Sequence, residues 1–403
     1  LPTTYNTISG DTFEKISRKK YGVSDGPLIQ GANPAISEPI PPGTTLVIPD
    51  QPSAPKDQTS GTEADNPDEL AVIVGGEAFK YWESVSVTRT VDQMDTFSLT
   101  APTTPVFKPL SYDSVAITVG GSPLFTGTML GVNPTVTASR QTDEVDGYSL
   151  PGVLNDCTMP SSAYPLNEMR NQTLAVIAAS ILRPFGLLAV FTASAGAAFD
   201  IVAIGEGEKV LAFLTNLAKQ NNLVIGSSPQ GALVFSTPGE GLPVARLEQG
   251  SAPLTSVTPS FNPQQYYSDV IGIEPSIVGL KGQSYPVKNT RLQGITRPFT
   301  FVVHDVGQGG LKGAVEAKAA RMFADAVTYT VDVATWRNAF DSLWAPGDTV
   351  QLKAPAAKVF GFYNFLIRSV TFNATPTGRT ATLQLVLPTS FSGQIPESMP
   401  WDE

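Results

Sequence analysis

Few side chains in this 403-residue chain are equipped for covalent chemistry: His304 is its one histidine and Cys157 its one cysteine. Hydrolytic zinc centres need several nitrogen or sulfur ligands, so a single imidazole excludes zinc amidase and zinc endopeptidase sites that use two or more. A Cys157/His304 pair would suit a thiol peptidase, yet the two lie far apart and neither sits in a peptidase motif. Two carboxylates can make a glycosidase, and Glu206 and Glu208 are one such close pair. Their place just before an apolar helical stripe reads better as negative charge at a helix N-terminus. Gly205-Glu206-Gly207-Glu208 lacks the third glycine and preceding strand of a dinucleotide site, and no Gly-Lys-Ser/Thr phosphate loop occurs. The expectation is therefore no enzyme: no catalytic residue, no metal site and no cofactor. Cys157 reads as a buried small apolar residue, and folding does not depend on an oxidising compartment.

The elements around these residues are mostly strands. Hydrophobic residues make up 41% of the chain, ample for packed cores, while charged residues make up only 15%. Apolar residues alternate at Val85 and Val87; at Val115, Ile117 and Val119; at Val327, Tyr329, Val331 and Val333; and at Leu383, Leu385 and Leu387. Period two predicts half-buried strands there. Helical stripes fall between them: Leu174, Ile177 and Ile181; Val210, Phe213, Leu214 and Leu217; and Val315, Ala319, Met322 and Phe323 after Gly309-Gly310. The run from Leu174 to Ile204 is broken by Arg183-Pro184 and Asp200, so it predicts a buried helix and following strands, with no stable membrane insertion. The first residues show no basic stretch followed by an apolar run, so no signal peptide is visible. A formal charge of −10 argues against affinity built on phosphate neutralisation, though not against a conduit that nucleic acid traverses.

Residues 1–50 have a pattern of their own. Asp11 followed three residues later by Glu14 is a capping-box arrangement that turns a first strand into a helix pointing Phe13 and Ile16 inward. Tyr21-Gly22 ends that helix, Leu28 and Ile29 fit a second one stopped before Asn33-Pro34, and Pro41-Pro42-Gly43 turns into a strand carrying Leu46 and Ile48. This strand–helix–helix–strand order resembles the LysM family over the module's full length. The resemblance implies a shallow glycan- or partner-binding groove at Gly10, Asp11, Thr12, Phe13, Asn33, Pro34 and Ile36, although most of these residues also cap helices and set turns. Residues 51–69, rich in Pro, Ser, Asp, Glu, Thr and Gly, read as a flexible linker; its extended reach is roughly 60 Å at about 3.3 Å per residue.

The two strand-rich regions flanking the mixed middle resemble one another. Asp113-Ser114-Val115 leads to Phe125 as Asp348-Thr349-Val350 leads to Phe360, with equal intervals and a strand pair following each, a pattern of internal duplication. The stretch from Trp336-Arg337-Asn338 through Leu343-Trp344-Ala345-Pro346-Gly347-Asp348 to Val350 resembles the closing signature of Mu-type baseplate hub proteins of contractile-tailed phages. Ser84 to Arg89, Asn171 to Ala175 and Tyr267 to Gly272 are similar to that family's first strand, central helix start and mid-chain strand. The resemblance implies an α+β, mainly β chain: a LysM module at 1–50, a linker at 51–69, a tube-like barrel at 70–158, a middle α/β region at 159–310, a second barrel with a leading helix at 311–390 and a tail at 391–403.

It also implies a homotrimer whose six barrels form a ring between hexameric tail tube protein and trimeric central spike protein, in a virion baseplate assembled in the bacterial host cytoplasm. The LysM module would clamp other baseplate (wedge) proteins. DNA would pass the channel without specific binding, helped by a negatively charged lumen. Trp336, Trp344, Pro346, Gly347 and Asp348 would be structural or interface residues, the two tryptophans more as barrel core than as surface anchors. Arg89, Arg337, Asp348 and Arg368 are candidates for intersubunit pairs. Two other classes remain open: a peptidoglycan-binding LysM protein with a lytic or adhesin role, and the hub of a tailocin or injection device.

Overall fold

The computed structural model describes residues 3–7, 12–13, 15–16, 29–30, 32–33, 36, 40–48, 68–160, 168–205, 207–239, 241–274, 282–303, 310–391 and 398–402. The chain divides into two compact units, Leu1–Asp65 and Asn66–Glu403. In the first, strand Thr3–Asn6 pairs antiparallel with Thr45–Ile48. Between them in sequence, residues 13, 15, 16, 29, 30 and 32 are helical. Phe13, Ile16, Ile29, Ile40 and Leu46 close its core. The cap of the first helical segment is Thr12, whose Oγ1 accepts from Lys15 N at 3.2 Å. The capping residues expected at Asp11 and Glu14, the Tyr21-Gly22 stop and Leu28 lie outside the described residues.

The larger unit is organised by one 13-stranded sheet. Its first half holds Leu70–Val74, Glu77–Phe79, Ser84–Thr90, Thr96–Pro102, Ser114–Val119, Ser122–Val136 and Gln141–Ser149. Its second half holds Arg246–Glu248, Leu254–Phe261, Val327–Val333, Thr349–Ala354, Val359–Thr375 and Gly378–Val386. Strands Ser114–Val119 and Val327–Val333 bury every second residue, the pattern the alternation requires. The first two strands of this second half fall inside the region 159–310 that the sequence assigns to the middle. That half is therefore discontinuous, with residues 262–326 inserted after its strand Leu254–Phe261.

The two halves share one strand order. In the first, Ser84–Thr90, Thr96–Pro102, Gln141–Ser149, Ser122–Val136 and Ser114–Val119 lie side by side; in the second, Leu254–Phe261, Val327–Val333, Gly378–Val386, Val359–Thr375 and Thr349–Ala354 do. Both long strands shift register at the same place, between Met129 and Gly131 and between Ile367 and Ser369. A β-bulge is a built feature, so its recurrence at matching positions marks a shared plan. The pairs Ile117↔Phe125 and Leu352↔Tyr363 show that Phe125 corresponds to Tyr363, not to the Phe360 matched by counting residues. The turn holding Pro355–Ala357 is longer than the Gly120-Gly121 turn, which makes the equal sequence intervals misleading. The halves depart at one edge: Leu70–Val74 lies antiparallel on Ser114–Val119, whereas Arg246–Glu248 lies parallel on Thr349–Ala354.

Two α/β layers supply the mixed middle. Helices Leu174–Leu182 and Val210–Gln220 share a core in which Leu174, Ile177, Ile181, Val210, Phe213, Leu214 and Leu217 are buried, as their stripes predict. Further on, helix Gly310–Ala326 lays Val315, Ala319, Met322 and Phe323 on a core shared with strand Asp269–Ile273, the centre of a three-stranded sheet. Gly272 permits that approach: a Cβ there would stand 2.2 Å from Cγ2 of Val315, itself fully buried. Gly272→Ala is expected to cost about 1–3 kcal/mol by overpacking. Urea unfolding checks this, and an unchanged midpoint would mean that the helix does not press on this glycine.

Candidate assembly interfaces

Asn33 and Phe13, two of the groove residues implied by the LysM resemblance, are held by the module itself. Asn33 is 7% exposed; its Nδ2 donates to Ile29 O and Val47 O at 2.7 Å each, and its Oδ1 accepts from Val47 N at 2.8 Å. Its whole amide is thus spent tying the second helical segment to the last strand. Phe13 is 3% exposed in the core, and Ile36 packs partly buried against it. Thr12 is the cap already described; Gly10, Asp11 and Pro34 lie outside the described residues.

Trp336 and Trp344 are core residues. Trp344 is fully buried with Nε1 donating to Thr335 O at 2.9 Å, and Trp336 is 3% exposed with Nε1 donating to Thr380 O at 2.8 Å. Trp336 also meets Phe372 edge to face at 5.4 Å. Pro346 and Gly347 turn the chain into strand Thr349–Ala354. Gly347 has φ +93°, a conformation glycine adopts without strain, and its N–H donates to Ile367 O at 2.8 Å. Burial pushes the Asp348 carboxyl up, against a backbone N–H and the Arg89 charge.

The arginines expected between subunits find partners within the chain. Arg337 Nε reaches Asp68 at 2.9 Å, and Arg89 Nε reaches Asp95 at 3.3 Å. Arg368 bridges Asp92 at 3.0 Å and Asp325 at 2.7 Å. Arg368 occupies the bulge of the long strand Val359–Thr375, so its two ion pairs pin the place where the halves of the sheet meet. The Asp95 carboxyl is 1% exposed and burial pushes it up to about 6, outweighing the Arg89 charge and the Thr90 N–H at 3.0 Å.

Of the candidates for chemistry, Cys157 is half-buried beside helix Val210–Gln220, whose Val210 N donates to its carbonyl. Glu208 Oε2 accepts from Gly205 N at 2.9 Å just ahead of that helix. His304 and Glu206 lie outside the described residues. Among the described residues no cluster of three or more His, Cys, Asp or Glu stands ready for a metal, and no helix is long and apolar enough to cross a membrane.

The open features of the body are strand edges. The long strand Val359–Thr375 bonds the second half of the sheet to the first by pairing with Ser84–Thr90, from Ser369↔Thr90 to Ala374↔Val85. Among the described residues, its counterpart Ser122–Val136 pairs over residues 131–136 with Gln141–Ser149 alone, and Leu254–Phe261 pairs with Val327–Val333 alone. One such edge is paired inside the chain and its two equivalents are open among the described residues; open edges are sites where strands can add.

Residues 151–237 match the family described as baseplate hub protein gp44-like, second domain. The fold is similar to that of the 43 kDa tail protein of prophage MuSo2 from Shewanella oneidensis, at 23% identity and TM-score 0.71 over 80% of this chain and 99% of that one. It is also similar to a tail protein from Neisseria meningitidis MC58, at 20% identity and TM-score 0.68 over 81% and 99% of the two chains. An E. coli component of the type VI secretion system is similar at 12% identity and TM-score 0.50, over 82% and 78%. No curated protein sequence matches the chain. The body thus has the fold of these phage tail proteins, and its residues 151–237 match a domain family of baseplate hub proteins.

Proposed function

We propose that this chain is the hub of a contractile-tail baseplate, three copies of which close a ring between a sixfold tail tube and a threefold central spike. The observation that carries the reading is the duplication: two halves with the same strand order and the same bulge, already joined edge to edge. Three copies of a two-part chain offer six similar positions to a hexameric tube while keeping the threefold symmetry of a spike. The mechanism is geometric and no catalytic step belongs to it: the ring matches symmetries, holds the spike until contraction and leaves a passage for DNA. A net charge of −10 would favour passage without retention. The N-terminal unit acts as a LysM-like clamp on other baseplate proteins, through a surface other than the amide of Asn33, which is already spent.

The solution mass of the full chain, measured by light scattering alone and with its spike protein, tests this. A trimer, in isolation or only with the spike, is the expected result. A monomer under both conditions would overturn the ring.

A further inference from the structure

The join inside the chain is specific in its chemistry. Its inward face is made by Val85, Val87, Val370, Phe372 and Ala374, none more than 2% exposed. Its outward face carries two short polar pairs: Thr88 Oγ1 with Thr371 Oγ1 at 3.0 Å, and Ser86 Oγ donating to Asn373 Oδ1 at 3.0 Å. Such cross-strand pairs are the unit from which sheets gain stability and register.

The duplication carries each residue of this join to a counterpart. The shared bulge and the pairs on the neighbouring strand equate 369–374 with 131–136. The pairs Val87↔Phe97 and Pro259↔Tyr329, with Phe97↔Gly147 and Tyr329↔Leu385, equate 85–90 with 257–262. These counterparts are the two edges that are open among the described residues. In the same register Asn133 falls opposite Ser260 and Thr135 opposite Thr258, so a Ser/Asn pair and a Thr/Thr pair recur in exchanged order. Val132 falls opposite Phe261 and Val136 opposite Val257. All four polar residues are exposed, as are Val136 at 69% and Phe261 at 44%. By contrast Ala374 and Val370, which match Val136 and Val132, are buried against their neighbour.

We propose that edge 131–136 of one copy pairs antiparallel with edge 257–262 of the next, in this register, reproducing between copies the join made within each. The proposal rests on the ring reading above and names its contact, a head-to-tail one with different surfaces on the two sides. Pro134 meets Pro259 where the internal join has Phe372 and Val87. Val91 N donates to Arg368 O at 2.9 Å, and the antiparallel alternation from there makes Val87–Phe372 a hydrogen-bonded pair. Two prolines at that position supply no N–H, so the seam between copies has fewer ladder bonds than the one within. In a free chain the same prolines blunt both edges against indiscriminate pairing. Arg368 has Leu130 as its counterpart, so the ion pairs that pin the internal join are absent between copies.

Cysteine cross-linking tests the register, because non-hydrogen-bonded antiparallel pairs stand about 4.5 Å apart at Cα, within disulfide reach. In a Cys157→Ser background, Asn133→Cys with Ser260→Cys is oxidised and resolved on a non-reducing gel, with and without the spike protein. Thr88→Cys with Thr371→Cys serves as the control, which closes within one chain and runs as a monomer. The expected result for the test pair is covalent dimers and trimers and nothing larger. A protein that light scattering shows to be trimeric, whose control closes but whose test pair stays uncross-linked, would overturn the seam and leave the ring standing. A protein monomeric under every condition would overturn both.

Discussion

Trp344→Ala is expected to lower the stability of the body by about 3–5 kcal/mol, the range for emptying a fully buried large aromatic site. The side chain has no exposed surface, and it is among the largest fully buried residues in the chain. Its removal also leaves Thr335 O, which accepts from Nε1 at 2.9 Å, without that donor, a further loss of about 1 kcal/mol. The damage spreads along a defined route. Trp344 N donates to Trp336 O, and Trp336 in turn bonds Thr380 on strand Gly378–Val386, so the turn leading to Gly347 loses its anchor. Trp344→Phe keeps most of the ring and removes the hydrogen bond, and about 1–2 kcal/mol is expected from it. Urea unfolding of the two variants beside the parent checks both values. If Trp344→Ala unfolds within 1 kcal/mol of the parent, the tryptophan is not the keystone of this turn.

The second large effect depends on pH. Burial outweighs the Arg89 charge and pushes the Asp95 carboxyl up to about 6, from an ordinary aspartate value of 3.8. The folded state therefore holds the proton more tightly than the unfolded chain. That contribution to stability is fully present below about pH 4 and is lost as pH rises through 6. A separation of about 2 pKa units corresponds to about 3 kcal/mol. Asp95→Asn keeps an oxygen for Thr90 N, puts an amide NH2 where Arg89 Nε met the second oxygen, and cannot ionise. Between pH 4 and pH 7 the parent is expected to lose about 2 kcal/mol more stability than this variant. Burial raises Asp348 with the same sign, and comparing parent with variant cancels it. Parallel stability profiles for the two proteins would show that Asp95 does not titrate across this window. The position matters to the architecture as well, since Asp95 N donates to Ser227 Oγ and Ser149 N donates to Asp95 O, binding the first half of the sheet to the middle layer.

Much of this was written in the sequence because it concerns neighbours a few residues apart. Val85, Val87, Val115, Ile117, Val119, Tyr329 and Leu385 alternate because a pleated strand buries every second side chain. Leu174, Ile177 and Ile181 repeat at helical spacing because one stripe faces a core. The duplication was visible too, but its alignment was not, since Phe125 matches Tyr363 only when pairing partners are known. Arg89, Arg337 and Arg368 show the opposite limit: their charge is plain in the sequence, while their carboxylate partners come from turns, loops and a helix end brought close by folding.

By itself, then, the sequence determined the strand and helix content, the inward residues of each element and the scarcity of groups able to do chemistry. Each depends on side-chain type and local period. Tertiary structure decided that Leu254–Phe261 belongs with strands beginning at Val327, that Trp336 and Trp344 lie inside, and that the halves join through Val359–Thr375 and Ser84–Thr90. The pairing of strands so distant in the chain is chosen by the complementarity of whole edges, with matched bulges and matched polar pairs, and no local pattern states which edge will meet which.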